Sequence, residues 1–298
     1  MTDELKDSKS RNEFLGQAEN VIQHPASVGG LDDMRRRVEE RKKAGKEKFG
    51  RGSTGGGKGI DSVFIQDCLN ANEQGDGELF KKLCRNQYLF NKSMDCWMRW
   101  AGHHWEIDVM DSAFGAVEQV VECYLEEIVR VSRQIRELND KDPQEAMLKR
   151  MRKDLLRRTN ALRSHRRRNN CLAFVHKTEN PLAIRGDEID RQPWLLACPN
   201  GVLDLRSGQL RKGVPEDYLL KAAATEWQSI DAPCLLWEQT LLDILEDDEL
   251  LVAFMQRLFG SALVGASVEN KIAVLTGQGR NGKSMIVETL CHLSLIHI

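Results

Sequence analysis

An eight-residue glycine-rich segment of the chain has the residue types and the spacing of a phosphate-binding loop. Its members are Gly277, Gln278, Gly279, Arg280, Asn281, Gly282, Lys283 and Ser284. They match the pattern G-x-x-x-x-G-K-[ST] at every fixed position. Glycine lets backbone N–H groups wrap a phosphate chain without clashes from Cβ atoms, and the N-terminus of the following helix adds partial positive charge. The pattern predicts that Lys283 neutralises the β- and γ-phosphates and that the hydroxyl of Ser284 ligates Mg²⁺.

The flanks of this segment have the pattern that the motif requires. Residues 271–276 are apolar and β-branched, which predicts a buried strand, and residues 285–290 predict the helix that follows the loop. A second glycine-rich segment, residues 52–59, is almost the same, but Gly59 stands where the hydroxyl belongs and no strand pattern precedes it. We interpret residues 52–59 as a flexible linker.

A run of basic residues offers a second kind of chemistry. Residues 130–168 contain fourteen Lys and Arg against five Asp and Glu, although the whole chain has a net charge of −2. The candidate contacts to a phosphate backbone are Arg157, Arg158, Arg163, Arg166, Arg167 and Arg168. Such a run is either a DNA-contacting surface or an ordinary solvated helix face, and the sequence leaves both interpretations open.

Three tryptophans, Trp97, Trp100 and Trp105, fall in residues 88–105, which predict strand–turn–strand with the turn at residues 101–103. Their rings could stack on bases, but packing within a small sheet is favoured because large aromatic side chains usually anchor cores. The adjacent His103 and His104 are interpreted as polar turn residues rather than metal ligands, since neighbouring side chains point in different directions.

Helical periodicity predicts the elements that carry the basic run. Apolar residues recur at three- and four-residue steps over residues 112–139, and a second helix follows Pro143. The residues predicted to face inward on that second helix are Met147, Leu148, Met151, Leu155 and Leu162. Residues 191–210 predict hairpins, with a turn at Asn200-Gly201, and Asp204 is expected to hydrogen-bond in a turn rather than to act in catalysis. Residues 235–264 again predict helix, capped midway by Asp247-Asp248.

Composition excludes several classes of protein. The 298 residues, 41% of them hydrophobic, suffice for one large or two modest domains. A net charge of −2 excludes a uniformly basic nucleic-acid binder but not a local basic patch. The eight cysteines contain no C-x-x-C pair, which argues against a zinc ribbon and a disulfide framework. Because we find neither a secretory signal nor an apolar stretch that could span a bilayer, we expect a cytoplasmic protein of a bacterial or phage-infected cell, with no membrane partner.

The order of several motifs resembles a known family. Residues 200–208, 215–218, 232–234, 254–260 and 262–265 are followed by the strand pattern and by Gly277-x-Gly-x-Asn-Gly-Lys-Ser284. This order is similar to the helicase half of phage and plasmid primase–helicases, a family that includes satellite-phage and poxvirus-type primase C-terminal regions. The similarity runs from about residue 88 to residue 292. The resemblance implies a superfamily 3 DNA helicase with an AAA+ ATPase core.

The resemblance also implies a fold class and domain boundaries. Residues 61–265 are expected to form an α+β helicase-associated N-terminal domain, mostly helical with small β-hairpins, after a disordered or linking segment at residues 1–60. Residues 266–292 are expected to form the first strand, phosphate loop and helix of the α/β ATPase core, which is truncated there. Residues 293–298 are identical to the peptide that a common sequencing-transposon end encodes when it is read in frame. We therefore expect these six residues to derive from an adapter.

The intact protein is expected, from the same resemblance, to be a hexameric ring that hydrolyses ATP with Mg²⁺ and translocates on single-stranded DNA at a replication fork, together with a separate primase. The Walker B acids, sensor asparagine and arginine finger of the family follow the phosphate loop and have no counterpart in this chain. Its catalytic residues are therefore unknown, and we expect the chain by itself not to turn over ATP. Two alternatives stay open: a non-enzymatic single-stranded DNA-binding or ring-assembly module, and a P-loop kinase or other NTPase unrelated to DNA.

Overall fold

The computed structural model describes residues 60–138, 142–265, 273–276 and 282–293. Helices account for most of this part of the chain. In chain order they are α1 (Ser62–Asn70), α2 (Asn72–Cys84), α3 (Ser112–Ala116), α4 (Glu118–Glu137), α5 (Pro143–Ala161), α6 (His165–Lys177), α7 (Leu235–Ile244), α8 (Glu249–Ala262) and α9 (Lys283–Leu293). The predictions for residues 1–59, 139–141, 266–272, 277–281 and 294–298 lie outside the described residues.

Two small sheets accompany the helices. The strands are β1 (Tyr88–Asn91), β2 (Cys96–Trp100), β3 (Trp105–Ile107), β4 (Ala183–Ile184), β5 (Leu195–Cys198), β6 (Gly201–Asp204) and β7 (Gln209–Arg211). The first sheet has the order β3-β2-β1-β4 and is antiparallel except that β4 runs parallel to β1. The second sheet is the antiparallel meander β5-β6-β7. The expected α+β architecture, mostly helical with small hairpins, is therefore confirmed for these residues.

The main core lies among helices α1 to α6. Helix α4 presents Val121, Tyr124, Ile128 and Val131 to this core, each at most 3% exposed, as the three- and four-residue spacing predicts. The predicted helix over residues 112–139 is interrupted at Val117, where α3 ends and α4 begins.

The inward face of helix α5 was predicted correctly except at one position. Leu148, Leu155 and Leu162 are buried, and Met151 packs against the core from its edge. The prediction for Met147 is wrong, since 63% of this residue is exposed. Met147 and Leu148 are consecutive, and helical geometry rotates consecutive side chains by about 100°, so both cannot face the same core.

The three tryptophans pack against aromatic neighbours in the first sheet, as Sequence analysis predicts, rather than standing free to stack on bases. Trp105 is 2% exposed, and its Nε1 donates a hydrogen bond of 2.9 Å to the carbonyl oxygen of Pro215. Trp100 contacts Trp105 edge-on, and Trp97 lies edge-on to Phe90 with ring centroids 5.3 Å apart. The predicted turn between β2 and β3 is present, while a further turn separates β1 from β2.

Two predicted polar contacts are confirmed. Oδ1 of Asp204 accepts a hydrogen bond of 2.9 Å from N of Arg206, so this carboxylate stabilises the β6–β7 turn. Asp248 caps helix α8 by accepting a hydrogen bond of 3.0 Å from N of Leu251.

Helices α7, α8 and α9 share a small apolar cluster of Leu241, Met255 and Ile286, each at most 4% exposed. Helix α9 begins at Lys283, so the helix predicted after the phosphate loop is present. The predicted buried strand before the loop is not formed at residues 273–276, where Val274 is 74% exposed. No strand in the described ranges pairs with these residues, so their backbone lacks the ladder that a buried strand needs.

Within the described ranges, no helix combines the length and the apolar character that crossing a bilayer requires.

Candidate nucleic-acid interface

Helices α4, α5 and α6 carry the basic run, and local sequence determines where two of them begin. Asp142 caps α5 by accepting a hydrogen bond of 2.8 Å from N of Gln144, and Pro143 occupies the first turn, where its missing N–H costs nothing. Ser164 caps α6 through a hydrogen bond of 3.4 Å from N of Arg167. Each helix presents an apolar side to the core and therefore an opposite side to solvent.

Two of the six candidate arginines point into the protein. Arg158 and Arg167 both bind Asp76 of helix α2, which is 0% exposed. Nη1 of Arg158 lies 2.7 Å from Oδ1 of Asp76, and Nη2 of Arg167 lies 2.8 Å from Oδ2. Oδ1 also accepts a hydrogen bond of 3.0 Å from the hydroxyl of Tyr124. Each oxygen of the buried carboxylate therefore has a cationic partner, and these two guanidinium groups are committed to internal contacts.

Arg168 is also used internally. It forms an ion pair with Glu118 at the start of α4, and its Nε donates a hydrogen bond of 2.9 Å to the carbonyl oxygen of Leu162. The guanidinium lies 5.6 Å from the ring centroid of Phe114, within range of a cation–π contact. Only 14% of this side chain is exposed, so it has little surface to offer a ligand.

The other three candidate arginines face solvent. The side chain of Arg157 is 72% exposed, and its contact with Asp154 is 3.6 Å long. Arg163, in the connection between α5 and α6, and Arg166, in the first turn of α6, are exposed. The six candidates therefore divide into an internal set and a solvent-facing set, which the spacing of the arginines alone does not show.

Four further exposed cations accompany the solvent-facing arginines: Arg133 and Arg136 on α4, and Arg150 and Lys153 on α5. Positions 150, 153 and 157 are three and four residues apart, so they share one side of α5. These four residues were not among the predicted DNA contacts. The signal that could have found them is the helical phase of α5, because the side opposite Leu148 and Leu155 must be the solvent side.

We define the basic surface as the exposed residues Arg133, Arg136, Arg150, Lys153, Arg157, Arg163 and Arg166. Among the residues that the structure describes, Arg157 is the only member with a carboxylate within 4 Å. Helix α5, which carries three of these residues, has 19 residues and spans about 28 Å at 1.5 Å per residue. This length is enough to follow several phosphates of a nucleic-acid strand. Exposed cations with this extent can replace the counterions of a phosphate backbone.

Lys283 and Ser284 lie in the first turn of α9, and Ser284 is exposed. Gly282 has φ +76°, a conformation that glycine adopts without strain, immediately before the helix. A Cβ atom at this position would lie 2.4 Å from Cδ1 of Ile244, so a larger residue here would displace the end of that side chain on α7. Of the predicted phosphate loop, the structure describes Gly282, Lys283 and Ser284. The residues Gly277, Gln278, Gly279, Arg280 and Asn281 lie outside the described residues.

The titratable groups of the described residues were also compared with the requirements of a metal centre. In the described ranges, no group of His, Cys, Asp and Glu is arranged to hold a metal ion. All eight cysteines lie in those ranges and are free thiols. Burial raises the pKa of Cys84 to about 12, and mainly burial raises that of Cys123 to about 12, so these thiols are protonated and unreactive near neutral pH.

Comparison with known proteins agrees with the resemblance seen in the sequence. Residues 77–246, more than half of the chain, match the family described as "D5 N terminal like". A protein of Acanthamoeba polyphaga mimivirus, named as a candidate helicase, is 30% identical over 104 residues, which are 34% of this chain and 11% of that protein. A protein of Invertebrate iridescent virus 6, also named as a candidate helicase, is 26% identical over 102 residues, which are 33% of this chain and 10% of that protein. The chain thus spans about a tenth of the length of these relatives. Because the family match covers most of the helical core and both sheets, the chain belongs to the D5 N-terminal-like family.

Proposed function

We propose that this chain is part of an ATP-dependent superfamily 3 DNA helicase of the primase–helicase type, which acts in the replication of a virus, phage or plasmid. A primase–helicase-associated role agrees with the family match and with the names of the two viral relatives. The observation that carries the proposal is the position of the phosphate-loop pattern: it follows the D5 N-terminal-like region in the same chain, and its lysine begins helix α9 directly after Gly282 at φ +76°.

The nucleotide in this proposal is ATP with Mg²⁺, held by residues 277–284. Lys283 neutralises the β- and γ-phosphates, the hydroxyl of Ser284 ligates the metal, and the glycine backbone cradles the phosphates. Supporting this assignment, the exposed Ser284 lies in the first turn of a helix, where N–H groups and the helix dipole favour an anion. Residues 61–265 are then the helicase-associated domain and residues 266–292 the start of the ATPase domain.

The partner in this proposal is single-stranded DNA, and the intact protein is a hexameric ring that translocates along it. Of the six arginines predicted to bind DNA, Arg157, Arg163 and Arg166 carry that role in the proposal because they face solvent. The ion pairs with Asp76 and Glu118 hold the helices that carry this surface, and they are formed by Arg158, Arg167 and Arg168.

ATP binding by the purified chain tests the phosphate loop. We expect a fluorescent ATP analogue, followed by anisotropy in the presence of Mg²⁺, to bind the wild-type chain and to bind Lys283→Ala at least about tenfold more weakly, since the lysine contacts two phosphates. Lys58→Ala is the matched control, because Lys58 has the corresponding position in the similar glycine-rich segment, where Gly59 replaces the hydroxyl residue. Equal affinities for wild type and Lys283→Ala would remove the loop from the proposal.

A second candidate function is a non-enzymatic single-stranded DNA-binding module, and the basic surface is the observation that favours it. The two functions separate in one experiment. A chain that binds single-stranded DNA but no ATP analogue is the module, whereas a chain that binds the ATP analogue but no DNA supports a P-loop NTPase unrelated to DNA.

A further inference from the structure

A cavity of about 360 Å³ lies where three chain segments of the two small sheets meet. Its walls are the β2–β3 turn at residues 101–103, the β5–β6 turn at residues 199–201, and the chain at residues 210–213 that includes the end of β7. A cavity of this size is within the range that holds small organic ligands. Neither the basic surface nor the phosphate loop contributes a lining residue.

Close backbone contacts hold these walls together. A Cβ atom on Gly213 would lie 2.8 Å from Cα of His103, and a Cβ atom on Gly201 would lie 2.5 Å from the carbonyl oxygen of Arg211. Asn200 fixes the β5–β6 turn, because its Nδ2 donates to the carbonyl oxygen of Trp227 at 2.7 Å and its Oδ1 accepts from N of Trp227 at 3.1 Å. The cavity is therefore formed before any ligand arrives, which reduces the entropy cost of binding.

The side chains that line the cavity are cationic or neutral, and no carboxylate is among them. Lys212 is exposed and Arg211 is its neighbour. Asp217 holds the Arg211 guanidinium in place, since Nη1 of Arg211 lies 2.8 Å from Oδ2 and Nη2 lies 2.6 Å from Oδ1. Asp217 is 6% exposed and balances the charge of Arg211, so the ammonium group of Lys212 gives the cavity its net positive charge.

His103 is the histidine that lines the cavity. Burial lowers the pKa of its ring, which also hydrogen-bonds to the backbone of Ala101. The adjacent His104 has a buried Nδ1 without a hydrogen-bond partner in the described part of the chain, but this residue does not line the cavity.

We propose that this cavity binds the phosphate group of a nucleotide, with Lys212 as the counter-charge and Arg211 as a hydrogen-bond donor. Phosphate fits because it is anionic and accepts several hydrogen bonds from Arg and Lys donors. The site goes beyond the proposed ATPase and the basic surface, from which its lining residues are separate. The phosphate belongs either to a free nucleotide or to a nucleic-acid strand.

Calorimetric titration tests this site in the Lys283→Ala background, which prevents binding at the phosphate loop from contributing. The probes are deoxyadenosine monophosphate and a ten-residue thymidylate. We expect Lys212→Glu to weaken binding at least about tenfold, because it replaces the only unbalanced positive charge of the cavity with a negative one. Lys221→Glu is the matched control: Lys221 is exposed and close in sequence but lines no part of the cavity.

The two probes distinguish the sources of the phosphate. A loss in Lys212→Glu that is seen with the monophosphate assigns the site to a free nucleotide, and a loss seen only with the thymidylate assigns it to a nucleic-acid strand. Lys212→Gln removes the charge without reversing it. If the loss in Lys212→Glu is not simply a disturbed fold, Lys212→Gln must also bind the same probe more weakly than Lys221→Glu does. The proposal is overturned if neither probe binds the Lys283→Ala chain, or if Lys221→Glu loses as much affinity as Lys212→Glu.

Discussion

Nη2 of Arg167 lies 2.8 Å from Oδ2 of Asp76, although the two residues are 91 positions apart in the chain. Asp76 is 0% exposed, and Arg158 binds its other oxygen from helix α5. The carboxylate therefore ties α2 to α5 and α6, and Tyr124 adds a contact from α4. A buried charge with two partners is costly to disturb, because removing it leaves two guanidinium groups with little solvent to replace it.

We expect Asp76→Asn to lower the free energy of unfolding by about 3 kcal/mol, since breaking a buried ion pair leaves uncompensated charge. Urea unfolding followed by circular dichroism measures this change. Asp154→Asn is the control: within the described part of the chain its ion-pair partner is the exposed Arg157 at 3.6 Å, so the expected loss is below about 0.5 kcal/mol. Similar losses in both variants would show that Asp76 does not hold the helices together.

The division of the arginines predicts which of them affect DNA binding. We expect the triple variant Arg157→Glu, Arg163→Glu and Arg166→Glu to bind single-stranded DNA at least about tenfold more weakly and to reduce the salt dependence of log K by about 2, the slope of three lost phosphate contacts. Its unfolding midpoint in urea should stay close to that of wild type, since all three side chains are exposed.

The control for this experiment is Arg257→Glu, which reverses an exposed charge on helix α8, outside the basic surface. It should leave both the affinity and the salt dependence unchanged. If Arg257→Glu weakens binding as much per charge as the triple variant does, the attraction is a property of the overall charge, and the basic surface has no special role.

Periodicity in the sequence correctly predicted the elements whose formation depends on local residues. Helix α4 follows from its apolar spacing, and the cap at Asp248 follows from residue type and position. The destinations of Arg158 and Arg167 could not be predicted in this way. Their partner Asp76 is 82 and 91 residues away, so the contact exists only after α2, α5 and α6 have packed together.

The strand predicted before the phosphate loop is not formed at residues 273–276 for a different reason. Residues 271–276 have the composition of a buried strand, but composition describes what a segment can do when partners are present. At residues 273–276 the described part of the chain supplies no neighbouring strand, and Val274 is exposed. Strand formation depends on pairing with other segments, which a single-segment pattern does not contain.

Two glycines with opposite surroundings give a matched test of the helical core. A Cβ atom on Gly75 in α2 would lie 1.8 Å from the carbonyl oxygen of Cys68, which belongs to α1, whereas a Cβ atom on Gly115 in α3 would contact nothing within 4 Å. We expect Gly75→Ala to lower the free energy of unfolding by about 2 kcal/mol or more, because backbone must move to admit the methyl group. Gly115→Ala should leave stability unchanged or raise it by up to about 1 kcal/mol, the difference in helix propensity.

Thermal unfolding of both glycine variants checks this pair. The order of stabilities is the decisive result, since the same substitution is made in a helix each time. If Gly75→Ala is as stable as Gly115→Ala, helices α1 and α2 do not approach each other as closely as the contact between Gly75 and Cys68 requires.

His176 predicts a dependence of stability on pH. Its ring stacks on Phe90 with centroids 3.8 Å apart, and Nδ1 lies 3.0 Å from Nζ of Lys92. Burial, and then the positive charge of Lys92, lower the pKa of His176 to about 4 from its ordinary value of 6.5. The unfolded chain therefore takes up a proton on this residue at a higher pH than the folded chain does, so the stability that the neutral ring provides above pH 6.5 is lost as the pH falls towards 4.

NMR titration of the histidine ring measures this pKa directly, and urea midpoints between pH 7 and pH 4 measure its effect on folding. In Lys92→Gln we expect the pKa of His176 to rise but to stay below 6.5, because burial is the larger cause and the substitution leaves Phe90 in place. In His176→Gln the urea midpoint should fall less steeply between pH 6.5 and pH 4 than in wild type, since the residue that takes up the proton is gone. A wild-type His176 that titrates near 6.5 would mean that its ring is solvated, and that it neither stacks on Phe90 nor contacts Nζ of Lys92.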